Sequence, residues 1–193
     1  MREARDAWRR ERLPALDVRR LVFIDESGAK TNMARLYARA PRGVRARSSA
    51  PAGHWCTTTM LAALRVDGVA AEWVVDGPVD ADVFAAYAEL VLAPALRPGD
   101  VVVLDNLAAH KDERVIRAIE AAGASVLSLP PYSPDFNPIE SMWSKVKAHL
   151  RKAAARTSDA LWRAVGEALA SVTPQDCRGF FRHCGYGVPA TPT

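Results

Sequence analysis

Two short apolar runs in this chain stop at an aspartate. Leu21-Val22-Phe23-Ile24-Asp25 and Val101-Val102-Val103-Leu104-Asp105 each set four apolar residues before the acid. Runs this short, bounded by polar residues, fit strands buried on both faces of a sheet. If the two strands are neighbours, the two carboxylates meet at the carboxyl edge of that sheet, where open α/β sheets place their ligands. This pairing constrains the chain more than any other feature, because it demands an α/β architecture with at least two strands side by side. At 193 residues a single domain with one filled core is expected.

A third acid stands downstream of the second. Leu129-Pro130-Pro131-Tyr132-Ser133-Pro134-Asp135-Phe136-Asn137-Pro138-Ile139-Glu140 is a proline-punctuated loop running into a helix over Ser141–Arg151. Thirty-four residues, 106–139, lie between Asp105 and Glu140. Asn137 suits a helix N-cap and Pro138 the first helical position. Ile139, Met142, Val146 and Leu150 then form the buried stripe. Glu140 borders that stripe, so a helix packed back on the sheet carries it toward the two aspartates. Three carboxylates brought together repel one another unless a cation joins them. With hard oxygen donors and no His or Cys in the set, the cation expected is Mg²⁺ or Mn²⁺ rather than zinc. A pair of such ions, roughly 3.5–4 Å apart, would serve in-line phosphoryl transfer on nucleic acid.

Each acid also has a purely local role open to it. Glu140 completes a capping box with Asn137 three residues earlier. Asp105-Asn106 and Asp25-Glu26-Ser27-Gly28 read equally as turns that end their strands.

The remaining chain fills in around these strands. Met1–Arg20 is a charged lead-in with a thin helical stripe of Ala4, Trp8 and Leu13, stopped by Pro14. Leu36–Ala40 is a candidate second strand. Arg39-Ala40-Pro41-Arg42-Gly43-Val44-Arg45-Ala46-Arg47 is a basic loop, read either as a phosphate-tracking arm or as an exposed hairpin tip. Trp55–Val66 and Val69–Val75 read as antiparallel strands about the turn Asp67-Gly68. Helices are expected over Asp80–Leu96, Lys111–Ala122 and Ser158–Val172, a strand over Ser125–Leu129, and a helical turn within Pro174–Tyr186. The order implies a mixed sheet, an antiparallel meander joined to parallel βαβ units.

Composition narrows the partners. The net charge is +4, the pI about 9.2, and the lysines are only Lys30, Lys111, Lys145, Lys147 and Lys152, so arginine dominates the cations. That balance leans toward a polyanion, and arginine's fork suits phosphate, although a GC-rich coding sequence gives the same bias. Three cysteines, Cys56, Cys177 and Cys184, show no paired spacing, which fits a reducing compartment. Cys177, His183 and Cys184 lack the fourth ligand and finger spacing of a zinc site. No apolar run approaches the ~18 residues of a membrane helix, and no apolar signal segment follows Met1, so a cytoplasmic protein is expected.

Asp25-Glu26-Ser27-Gly28, Val102-Val103-Leu104-Asp105-Asn106-Leu107-Ala108-Ala109-His110 and the Leu129–Glu140 segment resemble the DDE transposases of the IS630/Tc1/mariner superfamily, as does the Asp105–Glu140 spacing. The resemblance runs from about Leu21 to Tyr186. It implies an RNase H-like fold with a mixed five-stranded sheet and helices flanking it, a catalytic domain over residues 21–186, a lead-in over 1–20 and a loose tail over 187–193. It makes Asp25, Asp105 and Glu140 the catalytic, metal-binding triad for cleavage at transposon ends and strand transfer. Arg39, Arg42, Arg45, Arg47, His110, Lys145, Lys147 and Arg151 are the candidate DNA contacts. The implied partners are terminal-repeat and target duplex DNA and a second copy of the chain, acting at the bacterial nucleoid. Full-length members carry N-terminal helix-turn-helix domains, which here are expected to be encoded separately or lost. A catalytically idle DNA-binding remnant and a stand-alone RNase H-like nuclease are the competing readings.

Overall fold

Among the described residues, five strands form one mixed sheet: β1 (Leu21–Lys30), β2 (Thr57–Arg65), β3 (Gly68–Asp76), β4 (Val101–Leu104) and β5 (Ser125–Ser128), in the order β3-β2-β1-β4-β5. The structure is a computed structural model and describes residues 2–51, 53, 55–105 and 112–188. β1 pairs antiparallel with β2 on one side and parallel with β4 on the other, and β4 pairs parallel with β5. The expected meander and βαβ halves therefore meet at β1. The β2–β3 turn is Val66-Asp67, one residue earlier than the Asp67-Gly68 expected, since Arg65 already pairs with Gly68.

Side chains alternate across the sheet, and the alternation divides the core in two. Leu21, Phe23, Ala29, Met60, Ala62, Leu64 and Val103 face one side, and Val22, Ile24, Leu61, Ala63, Val102 and Leu104 the other. The second face is covered by α2 (α-helical over Ala81–Tyr87, a wider π turn over Ala88–Leu92, then Ala93–Ala95) and by α3 (Glu113–Ala121). The first is covered by α4 (Pro138–Ala153), α5 (Ser158–Ala170), α6 (Pro174–His183) and an amino-terminal helix, α1. α1 is α-helical over Arg2–Ala7, takes a π turn over Trp8–Arg12 and ends with Leu13–Ala15. In α1 and in α2 the π turn directly precedes the piece that holds a proline, Pro14 or Pro94. A proline ring crowds the carbonyl four residues back, and a wider turn relieves that crowding.

The α4 stripe read from the sequence holds, whereas Ala4 in the amino-terminal stripe is exposed. Ile139, Met142, Val146 and Leu150 are all buried, with Trp143 among them. Gly123 closes α3 at φ +76, where a Cβ would come within 3.3 Å of Pro98.

Three local expectations fail. Ser27-Gly28 does not end the first strand. β1 runs on to Lys30, and Gly28 pairs with Thr59, because the long antiparallel ladder with β2 outweighs the weak strand preference of one glycine. Leu36–Ala40 forms no strand. Residues 35–51 are exposed, with Leu36 and Tyr37 open to solvent, so no neighbour is there to pair with. The third concerns Asn137, whose side chain makes no capping bond at α4. The capping-box role for Glu140 therefore loses its reciprocal half.

Candidate active site

The β1–β4 register sets the first two acids side by side. Phe23 stands opposite Val103 in the parallel ladder, so two residues on Asp25 is level with Asp105. Both follow the parity of Phe23 and Val103, which face α4 and its neighbours. α4 lies against β1, anchored by Ile139 and Met142, and carries Glu140 in its first turn. The parallel ladder extends through Leu129 N–H donating to the Leu104 carbonyl (2.9 Å), so the proline loop departs beside Asp105.

A cleft of about 460 Å³ opens at this edge, lined by Asp105, Glu140, Asn137 and the loop from Leu129 to Pro134. Exposure grades across the three acids: Asp25 is buried, at 9% exposure, Asp105 half-buried and Glu140 exposed. Burial first, and then the negative charges of Glu140, Glu26 and Asp105, together push the Asp25 carboxyl up to about 8.

The three carboxylates feel one another without closing into a single coordination shell: among the described residues, no three His, Cys, Asp or Glu groups are gathered as metal ligands. The donor set nonetheless fits a hard divalent cation, since it offers only carboxylate oxygens around a buried acid. Asn137, 5% exposed, adds a buried Oδ1 with no hydrogen-bond partner in the same cleft wall.

The loop that delivers Glu140 is held from outside by α1. Arg5 Nη1 donates to the Tyr132 carbonyl (3.0 Å), Ser133 Oγ (2.9 Å) and Asp135 Oδ1 (2.9 Å), while Nη2 donates to Asp135 Oδ2 (2.8 Å). This fork keeps the Asp135 carboxyl below the usual range. Arg5 and Arg9 also lie over the Phe136 ring, 5.1 and 5.4 Å from its centroid, and Trp8 stacks on it at 6.4 Å. Tyr186 Oη donates to the Phe136 carbonyl (2.8 Å).

Sequence reasoning did not find this tether. Arg5 stands in a run with Arg2, Arg9, Arg10 and Arg12, and nothing local sets it apart. If the tether positions Glu140, Arg5→Ala is expected to weaken Mn²⁺ binding roughly tenfold, as loss of an outer-shell support does. Calorimetric titration checks this, and unchanged affinity would make the fork a surface decoration.

The remaining candidates scatter. Arg39, Arg42, Arg45 and Arg47 lie in the exposed stretch 35–51, which leaves the sheet between β1 and β2. Its base is fastened by Thr31 N–H donating to the Cys56 carbonyl (3.2 Å) and by Arg156 donating to the carbonyls of Thr31 and Met33 (both 2.9 Å). Lys147 and Arg151 are half-exposed on α4. Lys145 is engaged within the protein: its ammonium donates to Asp176 and to the Ser171 carbonyl, tying α6 to α4. Asn106 and His110 lie outside the described residues.

Two aspartates level at the adjacent strands β1 and β4 and a glutamate in the first turn of α4 thus stand on one side of a sheet of order β3-β2-β1-β4-β5. The chain matches the family model of the DDE superfamily endonucleases over residues 20–162, well over half its length, and belongs to that family. No curated protein matches it. Among solved structures, the Mos1 mariner paired end complex with Mn aligns at a TM-score of 0.69 and 18% identity, over 94% of this chain and 56% of that one. The catalytic domain of Mos1 mariner transposase aligns at 0.60 and 15% identity, over 93% and 80%. The catalytic core domain of BIV integrase aligns at 0.51 and 16%, over 86% and 97%. These likenesses establish the fold, which is RNase H-like, as the resemblance implied. The chain spans just over half the length of the Mos1 chains in several of these complexes. No helix among the described residues is long and apolar enough to cross a membrane.

Proposed function

We propose that the chain is the catalytic domain of an IS630-type DDE transposase, which cuts DNA at transposon ends and joins the freed ends to target DNA. The observation that carries this reading is the register that sets Asp25 beside Asp105, with Glu140 close enough to raise the Asp25 carboxyl. In this reading Asp25, Asp105 and Glu140 hold Mg²⁺ or Mn²⁺, as a pair of ions. When bound, the ions activate the attacking oxygen and stabilise the leaving one in an in-line displacement. Asp25 supplies the anchored ligand, buried in the sheet, and Glu140 the adjustable one at the mouth. Mos1 has been captured with Mn in its paired end complex, which supports the same choice of ion here.

Arg39, Arg42, Arg45 and Arg47 then track phosphates as an exposed arm, and Lys147 and Arg151 flank the cut. The partners are duplex DNA and a second copy of the chain, as paired ends require. The setting would be a bacterial nucleoid.

The test is nicking of supercoiled DNA carrying candidate terminal repeats, with Mn²⁺, Mg²⁺ or EDTA. Nicking that needs the metal and the repeats supports the reading. DNA binding without a metal-dependent cut would favour an idle remnant. Cutting confined to RNA–DNA hybrid would favour an RNase H-like nuclease.

A further inference from the structure

We propose that Tyr132 is a stacking platform for an unpaired nucleobase at the mouth of the cleft. The inference rests on the reading of the cleft as a DNA site and extends it to what lies beside the phosphate. Tyr132 is 85% exposed; Tyr87 and Tyr186 are buried, and Tyr37, at 90%, lies in the exposed stretch away from the cleft lining. Its backbone sits at φ +52, a left-handed conformation that a bulky residue adopts only when its surroundings impose it.

The surroundings do impose it. Arg5 holds the Tyr132 carbonyl from one side, Ser133 next to it is buried, and prolines follow at 134 and precede at 130 and 131. A strained backbone thus presents a large ring to solvent on the wall that also carries Asp105 and Glu140. Strain held at a site wall points to a ligand rather than to packing. The cleft, at about 460 Å³, lies within the range of small-ligand pockets.

The chemistry of that ligand follows from the ring. An exposed aromatic face beside carboxylates offers nothing to a phosphate and no sequence-specific hydrogen bonds apart from its hydroxyl. It offers a flat apolar surface, on which any base can stack. Bases inside a duplex have both faces occupied, so the partner is a nucleotide that has left the stack next to the phosphodiester the acids address.

The experiment uses the Glu140→Gln background, so that no substrate is cut, and a duplex carrying one unpaired 2-aminopurine at its end, with the blunt duplex as control. With Tyr132 or Tyr132→Phe, the fluorophore should be quenched and the unpaired substrate preferred over the blunt one. With Tyr132→Ala or Tyr132→Gly, quenching should vanish and affinity for the unpaired substrate should fall roughly tenfold, in the range of one lost base–aromatic stack. Blunt-duplex affinity should not move. Tyr132→Gly also frees the backbone of its penalty, so its melting temperature should equal or exceed that of the background. Retained quenching in the Ala and Gly variants, an equal loss on both substrates, or no preference before substitution would each overturn the inference. Metal-dependent nicking by the unaltered chain is scored separately. If nicking is absent but the stack is present, the proposed function fails alone; if nicking is present without the stack, this inference fails alone.

Discussion

Glu140→Gln is expected to abolish metal-dependent nicking and leave the fold untouched. Glu140 is exposed, packs nothing and makes no capping-box partner of Asn137, so removing its charge costs α4 only its favourable place in the first turn. That is worth about 0.3–1 kcal/mol at a helix N-terminus. Activity should fall far more, on the order of a thousandfold, because loss of a direct ligand exceeds the 10–100-fold that outer-shell losses cost. Asp105→Asn should behave alike, since it removes the neighbouring ligand on β4. Circular dichroism and thermal melting check the fold, and a nicking time course checks the activity. Either variant cutting at the wild-type rate would sink the triad.

Asp25→Asn should produce the opposite pair of effects, loss of metal binding with a gain in stability. In the folded chain the Asp25 carboxyl is pushed up to about 8, from an ordinary 3.8, chiefly by burial. Below about pH 4 the folded and unfolded chains both hold that proton, and the group does not affect folding. As pH rises from 4 to 8 the unfolded chain releases the proton and the folded chain keeps it, so stability declines through this window. Above 8 the whole penalty is present.

Asparagine removes the penalty. In EDTA at pH 7 the variant should be more stable by on the order of 1–3 kcal/mol, or about 3–10 °C in Tm for a chain of this size. At pH 4 the difference should disappear. Added Mn²⁺ should stabilise the wild type and not the variant. Below pH 8, binding should release close to one proton, read by calorimetry in buffers of different ionisation enthalpy. Equal melting of the two chains at pH 7 in EDTA would contradict the electrostatic picture of the cleft floor.

Much of this site could be read in the sequence, for a definite reason. Val22 to Ile24 and Val102 to Leu104 are apolar enough to be strands buried on both faces, and a strand's parity is enough to aim the acid that follows the run, even where β1 continues past Asp25 to Lys30. The Ile139, Met142, Val146 and Leu150 stripe likewise tells which way Glu140's helix lies. What escaped was interaction between residues with no shared periodicity. Trp8 and Phe136 stack across 127 intervening positions, and neither belongs to a repeating pattern that could announce the other. Gly28 misled because a single residue's preference was weighed without the ladder that β2 supplies. Leu36–Ala40 misled in the reverse sense: its apolar residues look strand-like, but the sheet has no vacant edge beside them.

The wrapping of Phe136 by Arg5, Trp8 and Arg9 has a consequence for how the molecule opens. Residues 5–9 and 132–136 should exchange their amide hydrogens with solvent as one cooperative unit, because the contacts of Arg5, Trp8 and Arg9 with the loop are lost when either segment lifts away. A chain trimmed to begin at Leu21 would uncover Phe136 on the α1 side and leave the loop ahead of Glu140 without the Arg5 fork. The smallest autonomous version of this domain therefore starts at the first helix rather than at the first strand.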